Sequence, residues 1–257
     1  MGLFKKIFGK KIQASNNFHL LDEKNSDAIN ASIAYNRYGA YCVPLSTQHR
    51  TLNQKILAGE VFEPDTIAYI RENAGDGDVI HAGTFFGDFL PGISAGIKES
   101  ARIWAFEPNP ESFACARITM LLNHIENVEL LPYGLGEKSS TAWLQTKNSK
   151  GVSLGGSSSV NAEKSSKDKY REIQLVAIDD VIPEDRQISI LQLDVEGFEE
   201  EALKGALKTI KRCLPTLILE TDKGICSTKW FADNILSLGY AIGEKIHYNR
   251  VVHPPLS

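Results

Sequence analysis

The chain has only four cysteines, Cys42, Cys115, Cys213 and Cys226, and they stand far apart, with no C-x-x-C pair and no histidine cluster at ligand spacing. Neither a zinc site nor a disulfide framework is indicated, and a reduced, cytoplasmic setting is expected. Long apolar runs are lacking too. The longest are of strand length, well below the roughly 20 residues that cross a bilayer, so no transmembrane segment is expected. There is also no excess of one charge. The 28 basic and 32 acidic side chains are largely interleaved and leave a net charge of -4, which gives no electrostatic footprint for nucleic acid.

What remains is a chain of 257 residues, 42% hydrophobic, with room for one large domain and a real core. Its start, Met1 to Lys11, interleaves Leu3, Phe4, Ile7 and Phe8 with four lysines, a make-up suited to weak contact with an anionic membrane surface. The segment is too short to anchor alone. It has no signal-peptide h-region or cleavage site, and Lys6 stands where a myristoylation signal needs Ser or Thr. A solvated N-terminus is the preferred reading.

Residues 1–75 are read as an N-terminal helical extension, with helices over Arg50 to Ala58 and Asp65 to Asn73, the second started by Glu63-Pro64-Asp65. From 76 to 257, strand-length apolar runs alternate with helical periodicity. That predicts an α/β fold, a mostly parallel sheet with helices on both faces. Strands are expected at Val79 to Ala82, Arg102 to Phe106, Val128 to Leu131, Ile188 to Leu193 and Thr216 to Leu219. Helices are expected at Asp88 to Ile97, Pro110 to Asn123, Glu199 to Lys211 and Lys229 to Leu238. Glu172 to Ile178 and Tyr240 to Val252 read as antiparallel edge strands, the latter turning at Glu244-Lys245 or Asn249-Arg250. Residues 145–170, with Gly155-Gly156-Ser157-Ser158-Ser159 and a lysine-rich stretch, break the rhythm and are read as a mobile loop acting as a lid.

Chemistry gathers at the strand ends. Leu191-Gln192-Leu193-Asp194-Val195-Glu196-Gly197 closes an apolar strand on two carboxylates and a glycine. Open parallel sheets bind ligands outside the carboxyl ends of their strands, so acid is placed where a site needs it; helix capping by Asp194 is the competing reading. The first strand runs into His81-Ala82-Gly83-Thr84-Phe85-Phe86-Gly87-Asp88, where Gly83 and Gly87 allow a tight reversal and close approach of a ligand. The second ends on Glu107, 24 positions after Gly83, where a carboxylate can accept both ribose hydroxyls of a nucleoside. A dinucleotide needs G-x-G-x-x-G for its pyrophosphate, and His81 stands in place of the first glycine. S-adenosylmethionine has no phosphate and needs only glycine clearance, a ribose acceptor and groups for its methionine end. The pattern favours the methyl donor over a nicotinamide.

Phe106-Glu107-Pro108-Asn109-Pro110, Leu135-Gly136, Val176-Ala177-Ile178-Asp179-Asp180, and Leu193-Asp194-Val195-Glu196-Gly197-Phe198-Glu199 with Leu203-Lys204-Gly205-Ala206 resemble the FkbM-type methyltransferases in order and spacing. L-D-V-E-G-x-E followed by L-K-G-A is the most specific part; F-E-P-N-P is shared more widely among class I methyltransferases. The resemblance implies a Rossmann-like sheet, S-adenosyl-L-methionine across its strand ends, and methyl transfer to a hydroxyl of a sugar, glycan or other secondary-metabolite acceptor. Carried over, it puts Gly83 and Gly87 under the methionine part, Glu107 with Pro108 at the ribose, Tyr133 and Gly134 beside the adenine, and Asp194 at the amino or methyl end. Gly156-Ser157-Ser158-Ser159 resembles the family's serine-bearing loop. Three positions depart from the pattern: His81 where an acid is usual, Phe85 for asparagine, and Gln192 for lysine. A neutral His81 can still accept a hydrogen bond from the donor's amino group.

Orienting the attacking oxygen is worth about 7 to 11 kcal/mol, and a general base adds about 100-fold to 10,000-fold. Asp194 and Glu196 are the preferred catalytic bases, ahead of His81, Glu220 and Asp222. No metal is expected, because Asp194 and Glu196 have no third ligand in view. His124, Glu126, His247 and His253 are read as surface residues. The partner is expected to be a small-molecule or glycan acceptor, selected by residues 1–75, 145–170 and 223–257. The competing readings are a non-catalytic binding or scaffold protein on a degenerate methyltransferase fold, and a nicotinamide oxidoreductase.

Overall fold

The computed structural model describes residues 29–161, 169–220 and 224–256. The basic start at 1–11, residues 162–168 of the expected lid, and Asp222 lie outside them.

The described chain opens with a hairpin, β1 (Ala31–Asn36) and β2 (Gly39–Pro44), ahead of the two expected helices, α1 (Thr51–Leu57) and α2 (Pro64–Asn73). This hairpin corrects a purely helical reading of the region. Its edge is paired by side chains from far along the chain: Asn123 donates to the Ala40 carbonyl at 2.6 Å and accepts from its amide at 2.9 Å. Thr119 accepts from the Cys42 amide at 3.0 Å. No local periodicity could announce those contacts.

The body of the fold runs β3 (Asp78–Ala82), α3 (Leu90–Ser94), β4 (Ile103–Phe106), α4 (Pro110–Leu122) and β5 (Val128–Leu131). Four strands then leave the main sheet: β6 (Gly134–Leu135), β7 (Ser140–Gln145), β8 (Ser159–Asn161) and β9 (Tyr170–Val176). The chain returns through α5 (Ile178–Val181), β10 (Ile188–Leu193), α6 (Glu199–Lys204), α7 (Leu207–Cys213) and β11 (Thr216–Glu220). It ends with α8 (Lys229–Asn234), β12 (Ala241–Ile246) and β13 (Asn249–His253).

The main sheet has the order β12-β13-β11-β10-β3-β4-β5. All neighbours from β11 to β5 are parallel, and β13 runs against both of its partners. Strands buried on both faces explain why these runs read as continuously apolar. Ile80, Leu191 and Leu217 pack with Leu203 and Ile210 in one core. Val79, Ile190 and Ile218 pack with Ile67, Ile70 and Leu90 in the other.

Three expectations are corrected. Tyr170–Val176 joins the smaller sheet β6-β9-β7-β8 rather than the edge of the main one. It alternates, with exposed Arg171, Glu172 and Gln174 opposed to buried Ile173 and Leu175, and a strand with one wet face belongs in such a sheet. The terminal hairpin turns at His247-Tyr248, His247 taking φ 52, rather than at either expected pair. The single helix expected from Glu199 breaks at Gly205, where a Cβ would run into the Gly136 carbonyl. Asp179 holds that break: its amide donates to the Gly205 carbonyl at 2.8 Å, and its carboxylate accepts the Lys208 and Thr209 amides at 2.9 and 2.8 Å. Leu135-Gly136, Ala177-Ile178-Asp179 and L-K-G-A therefore meet in one packing junction.

Candidate active site

From β3 the chain builds β4 and β5 to one side, then returns to β10 and β11 on the other. The boundary between β3 and β10 is thus a topological switch point, where a crevice opens outside the strand ends. Gly83 and Asp194 each follow directly on a strand that borders it, and Glu107 follows on β4, the next strand over. The Asp194 amide extends the ladder to the Ala82 carbonyl at 3.1 Å, and Gly83, at φ 82, lies so close that a Cβ would strike the Asp194 carbonyl. Its glycine is required by the protein's own backbone.

Glu107 is 6% exposed, and both of its carboxylate oxygens are engaged: one accepts the Phe85 amide and the other the Asn109 amide, each at 2.7 Å. Burial pushes its carboxyl up to about 8. Asn109 then caps α4, accepting from the Glu111 amide at 3.1 Å, so the F-E-P-N-P run sets the carboxylate and the helix start together.

An open cleft of about 530 Å³ is lined by Gly83, Glu107, Pro108, Tyr133, Gly134 and Asp194. Of the residues assigned to donor binding from the sequence, these six are brought together. His81 and Gly87 do not line this cleft. Gly87 is buried at φ 81 and makes the turn, its amide donating to the Thr84 carbonyl at 2.9 Å. The opposite wall is apolar and was not legible in the sequence: Leu144 and Val160 come from the smaller sheet and Phe198 from the turn after β10. Gly155, Gly156 and Ser158 of the expected lid also line it, Gly156 resting on the Phe85 ring.

Asp194 is half-buried, its carboxyl held well above the usual carboxylate range by desolvation first and then by the charges of Glu220 and Glu196. Glu196 takes the left-handed region at φ 54, and Gly197 follows at φ 93. Glu199, the third acid of the run, is 2% exposed and accepts the Gly197 amide at 3.1 Å. It shapes the turn, leaving Asp194 and Glu196 to line the cleft.

A second, larger cavity, about 1500 Å³ of open space, adjoins the first at Gly83, Gly156, Asp194 and Glu196. His81 and Gln192 form part of its wall, with Glu63, Asp88, Glu220 and Asn249. Asp88 is pushed up to about 8 by burial, with the Glu63 charge adding to it. Glu63 accepts from Thr66 at 2.9 Å and Asn249 at 2.7 Å, and burial raises its carboxyl as well. Glu63 and Asp88 were missed as site residues; an acid directly after G-x-x-x-G was the one available signal. His124 and Glu126 are exposed, whereas His253 is half-buried and pairs with Glu244 at 2.8 Å.

Among the described residues no group of three or more His, Cys, Asp or Glu is disposed to hold a metal ion, and no helix is long and apolar enough to cross a membrane.

A mostly parallel seven-stranded sheet with one reversed strand and a cleft at its switch point is the class I methyltransferase fold. The family model of the methyltransferase FkbM domain matches residues 81–241, so the chain belongs to the FkbM methyltransferase family. No curated protein matches the chain. Among solved structures it is similar to a methyltransferase FkbM from Methylobacillus flagellatus KT, at 20% identity over 69% of this chain and 43% of that one, with a TM-score of 0.48. The chain thus spans less than half the length of that protein. It is also similar to a SAM dependent methyltransferase from Aquifex aeolicus, at 18% identity over 75% of this chain and 88% of that one, TM-score 0.42. A third similar structure is the Pyrococcus abyssi tRNA (uracil-54, C5)-methyltransferase in complex with S-adenosyl-L-homocysteine, at 13% identity over 83% of this chain and 41% of that one, TM-score 0.42.

Proposed function

We propose that the chain is an S-adenosyl-L-methionine-dependent O-methyltransferase acting on a hydroxyl of a sugar, glycan or other secondary-metabolite acceptor. The observation that carries this reading is Glu107, buried in an apolar cleft at the end of the second strand, with backbone amides fixing both oxygens and spare lone pairs on each. That is the demand of a ribose diol. At the other end of the same cleft Asp194, crowded by Glu220 and Glu196, suits the positive methionine end of such a donor. Bound there, S-adenosylmethionine supplies a methyl group already made electrophilic by its sulfonium.

The chain's own residues then have three tasks. Glu107, Pro108, Tyr133 and Gly134 hold the nucleoside. The Gly155–Ser158 arm covers the cleft and excludes water. Asp194 or Glu196 takes the acceptor's proton, and the raised carboxyl of Asp194 brings its basicity nearer to neutral pH, where a general base works best. All four cysteines are free, in keeping with a reducing compartment. The test is tritium transfer from labelled donor to a panel of glycan and lipid-linked sugar hydroxyls, with transfer by the wild type and none by Glu107→Ala. Full transfer by the variant sinks the ribose assignment; no binding of S-adenosylmethionine or its demethylated product at millimolar concentration supports a non-catalytic scaffold, the reading that His81, Phe85 and Gln192 favour.

A further inference from the structure

The arm at 155–158 has little of its own to hold it. Its two glycines and two serines carry no apolar side chain to pack, and Gly155 takes the left-handed region at φ 53. The arm's root is the Leu154 carbonyl, which accepts the Ser157 amide at 3.0 Å and closes the turn that puts Gly155, Gly156 and Ser158 on the first cleft. Arg50 donates from Nη1 to that same carbonyl at 2.7 Å, across 104 positions. The backbone of Arg50 is fixed at the start of α1: its amide donates to the Thr47 carbonyl at 2.9 Å, and its carbonyl accepts the Gln54 amide at 3.0 Å. Two buried side chains lie against the turn. A Cβ on Gly155 would meet Thr47 Cγ2 at 2.6 Å and the Phe85 ring at 3.0 Å, and one on Gly156 would meet that ring at 3.5 Å. The Phe85 amide in turn donates to Glu107 at 2.7 Å.

Resting on the reading of the first cleft as the donor site, we propose that Arg50 is a positioning residue: it pins the 155–158 arm onto Thr47 and Phe85 and so slows release of the bound donor. Arg50 does not line the first cleft, so it reaches the donor only through the arm. A hydrogen bond from a charged donor is stronger than one between neutral groups, and here it secures a turn whose residues offer little packing of their own. Phe85 joins the two halves of the device. Its ring supports the arm and its amide fixes the carboxylate assigned to the ribose, so a seated arm and a correctly aimed Glu107 share one support. Arg50 also lines the second cavity, and direct contact with an acceptor there is the competing role. That role leaves release of the donor untouched, which separates the two.

The experiment measures association and release of S-adenosylhomocysteine by surface plasmon resonance on the immobilised full chain. Arg50→Ala should release it about tenfold faster than the wild type, with the association rate and the melting temperature unchanged. Arg50→Lys should recover most of the slow release, because the contact is a single hydrogen bond rather than a bidentate fork. Gly155→Ala, which pushes the arm off Thr47 and Phe85 with Arg50 still in place, should speed release as well. Hydrogen exchange without ligand reads the pin itself: the Ser157 and Ser158 amides should exchange faster in Arg50→Ala, and the Gln54 and Ala58 amides of α1 should not. Unchanged release in Arg50→Ala overturns the proposal, as does unchanged exchange at the arm. A lower melting temperature with arm and α1 exchange rising together also overturns it, since Arg50 then only stabilises the fold. Failure of the wild type to bind S-adenosylhomocysteine at all is distinct: it removes the donor reading and this proposal with it, whatever the exchange at the arm.

Discussion

His81 and Gln192 face each other in register across β3 and β10, and the imidazole Nδ1 hydrogen-bonds the amide oxygen. The ring also stacks on Phe89, centroids 5.3 Å apart and planes within 5°. The family pattern has an acid and a lysine at these two positions. The two departures from that pattern therefore meet in one neutral, hydrogen-bonded pair. At a buried site, a neutral pair avoids desolvating two charges.

Restoring only one partner should be costly. Gln192→Lys sets an ammonium against a neutral imidazole and is predicted to lose about 3 kcal/mol of stability. Adding His81→Asp should recover part of that loss, with a coupling of about 1 to 3 kcal/mol in a double-mutant cycle of guanidinium unfolding curves. Additive losses would mean the two side chains act independently.

Burial lowers the His81 imidazole from 6.5 to about 4. Between those values the unfolded chain holds a proton that the folded chain refuses, so this contribution is complete above pH 6.5 and lost as pH falls through about 4. It amounts to about 3 kcal/mol. Glu107 and Asp88, each raised to about 8, act in the opposite sense: the folded chain keeps protons that the unfolded chain gives up, so their contribution is complete below about pH 4 and is lost progressively as pH rises to about 8. Urea unfolding of wild type and His81→Gln from pH 4.5 to 8.5 checks this: stability should fall with rising pH more steeply in the variant between pH 4.5 and 6.5, and the two profiles should run parallel above that.

Gly83 and Gly87 should separate in their effects. Both take positive φ, at 82 and 81, so alanine is strained at each by about 1 to 2 kcal/mol. At Gly83 the Cβ also meets the Asp194 carbonyl, which should displace the acid and weaken donor binding. Gly87→Ala, at a residue that lines neither cavity, should lower the melting temperature and leave donor affinity intact in the folded fraction. Calorimetry with S-adenosylhomocysteine on both variants decides it.

The central strands of the main sheet were legible because they are buried on both faces, as Ile188–Leu193 is; Val128–Leu131, at the sheet's edge, also falls where its apolar run puts it, and Asn109-Pro110 announced α4. The smaller sheet was not, since β6 is two residues long and β8 lies in a Gly/Ser-rich stretch. The acids of the first cleft were visible as strand ends stopping on carboxylates. Glu63 and Asn249 were invisible for another reason: they meet across 186 positions, Glu63 just before α2 and Asn249 at the start of β13. Phe85 in the left-handed region at φ 51, with its amide on Glu107, likewise has no one-dimensional signature.

Asp194→Asn should trade function for stability. Removing one charge from a group repelled by Glu220 and Glu196 is predicted to raise the melting temperature, by about 2 to 4 °C for each kcal/mol relieved. Methyl transfer should fall by about 100-fold or more if Asp194 is the base. Scanning calorimetry and transfer assays on the same preparation test both halves, and a less stable variant with full activity would contradict the assignment.

The central claim is that Glu107 holds a nucleoside methyl donor at the switch point. Isothermal titration of S-adenosylhomocysteine into wild type and Glu107→Ala tests it directly. One site per chain is predicted, with affinity falling by about 100-fold in the variant, as expected for loss of hydrogen bonds to two hydroxyls. No binding to the wild type at millimolar concentration, or equal affinity in the two proteins, would contradict it.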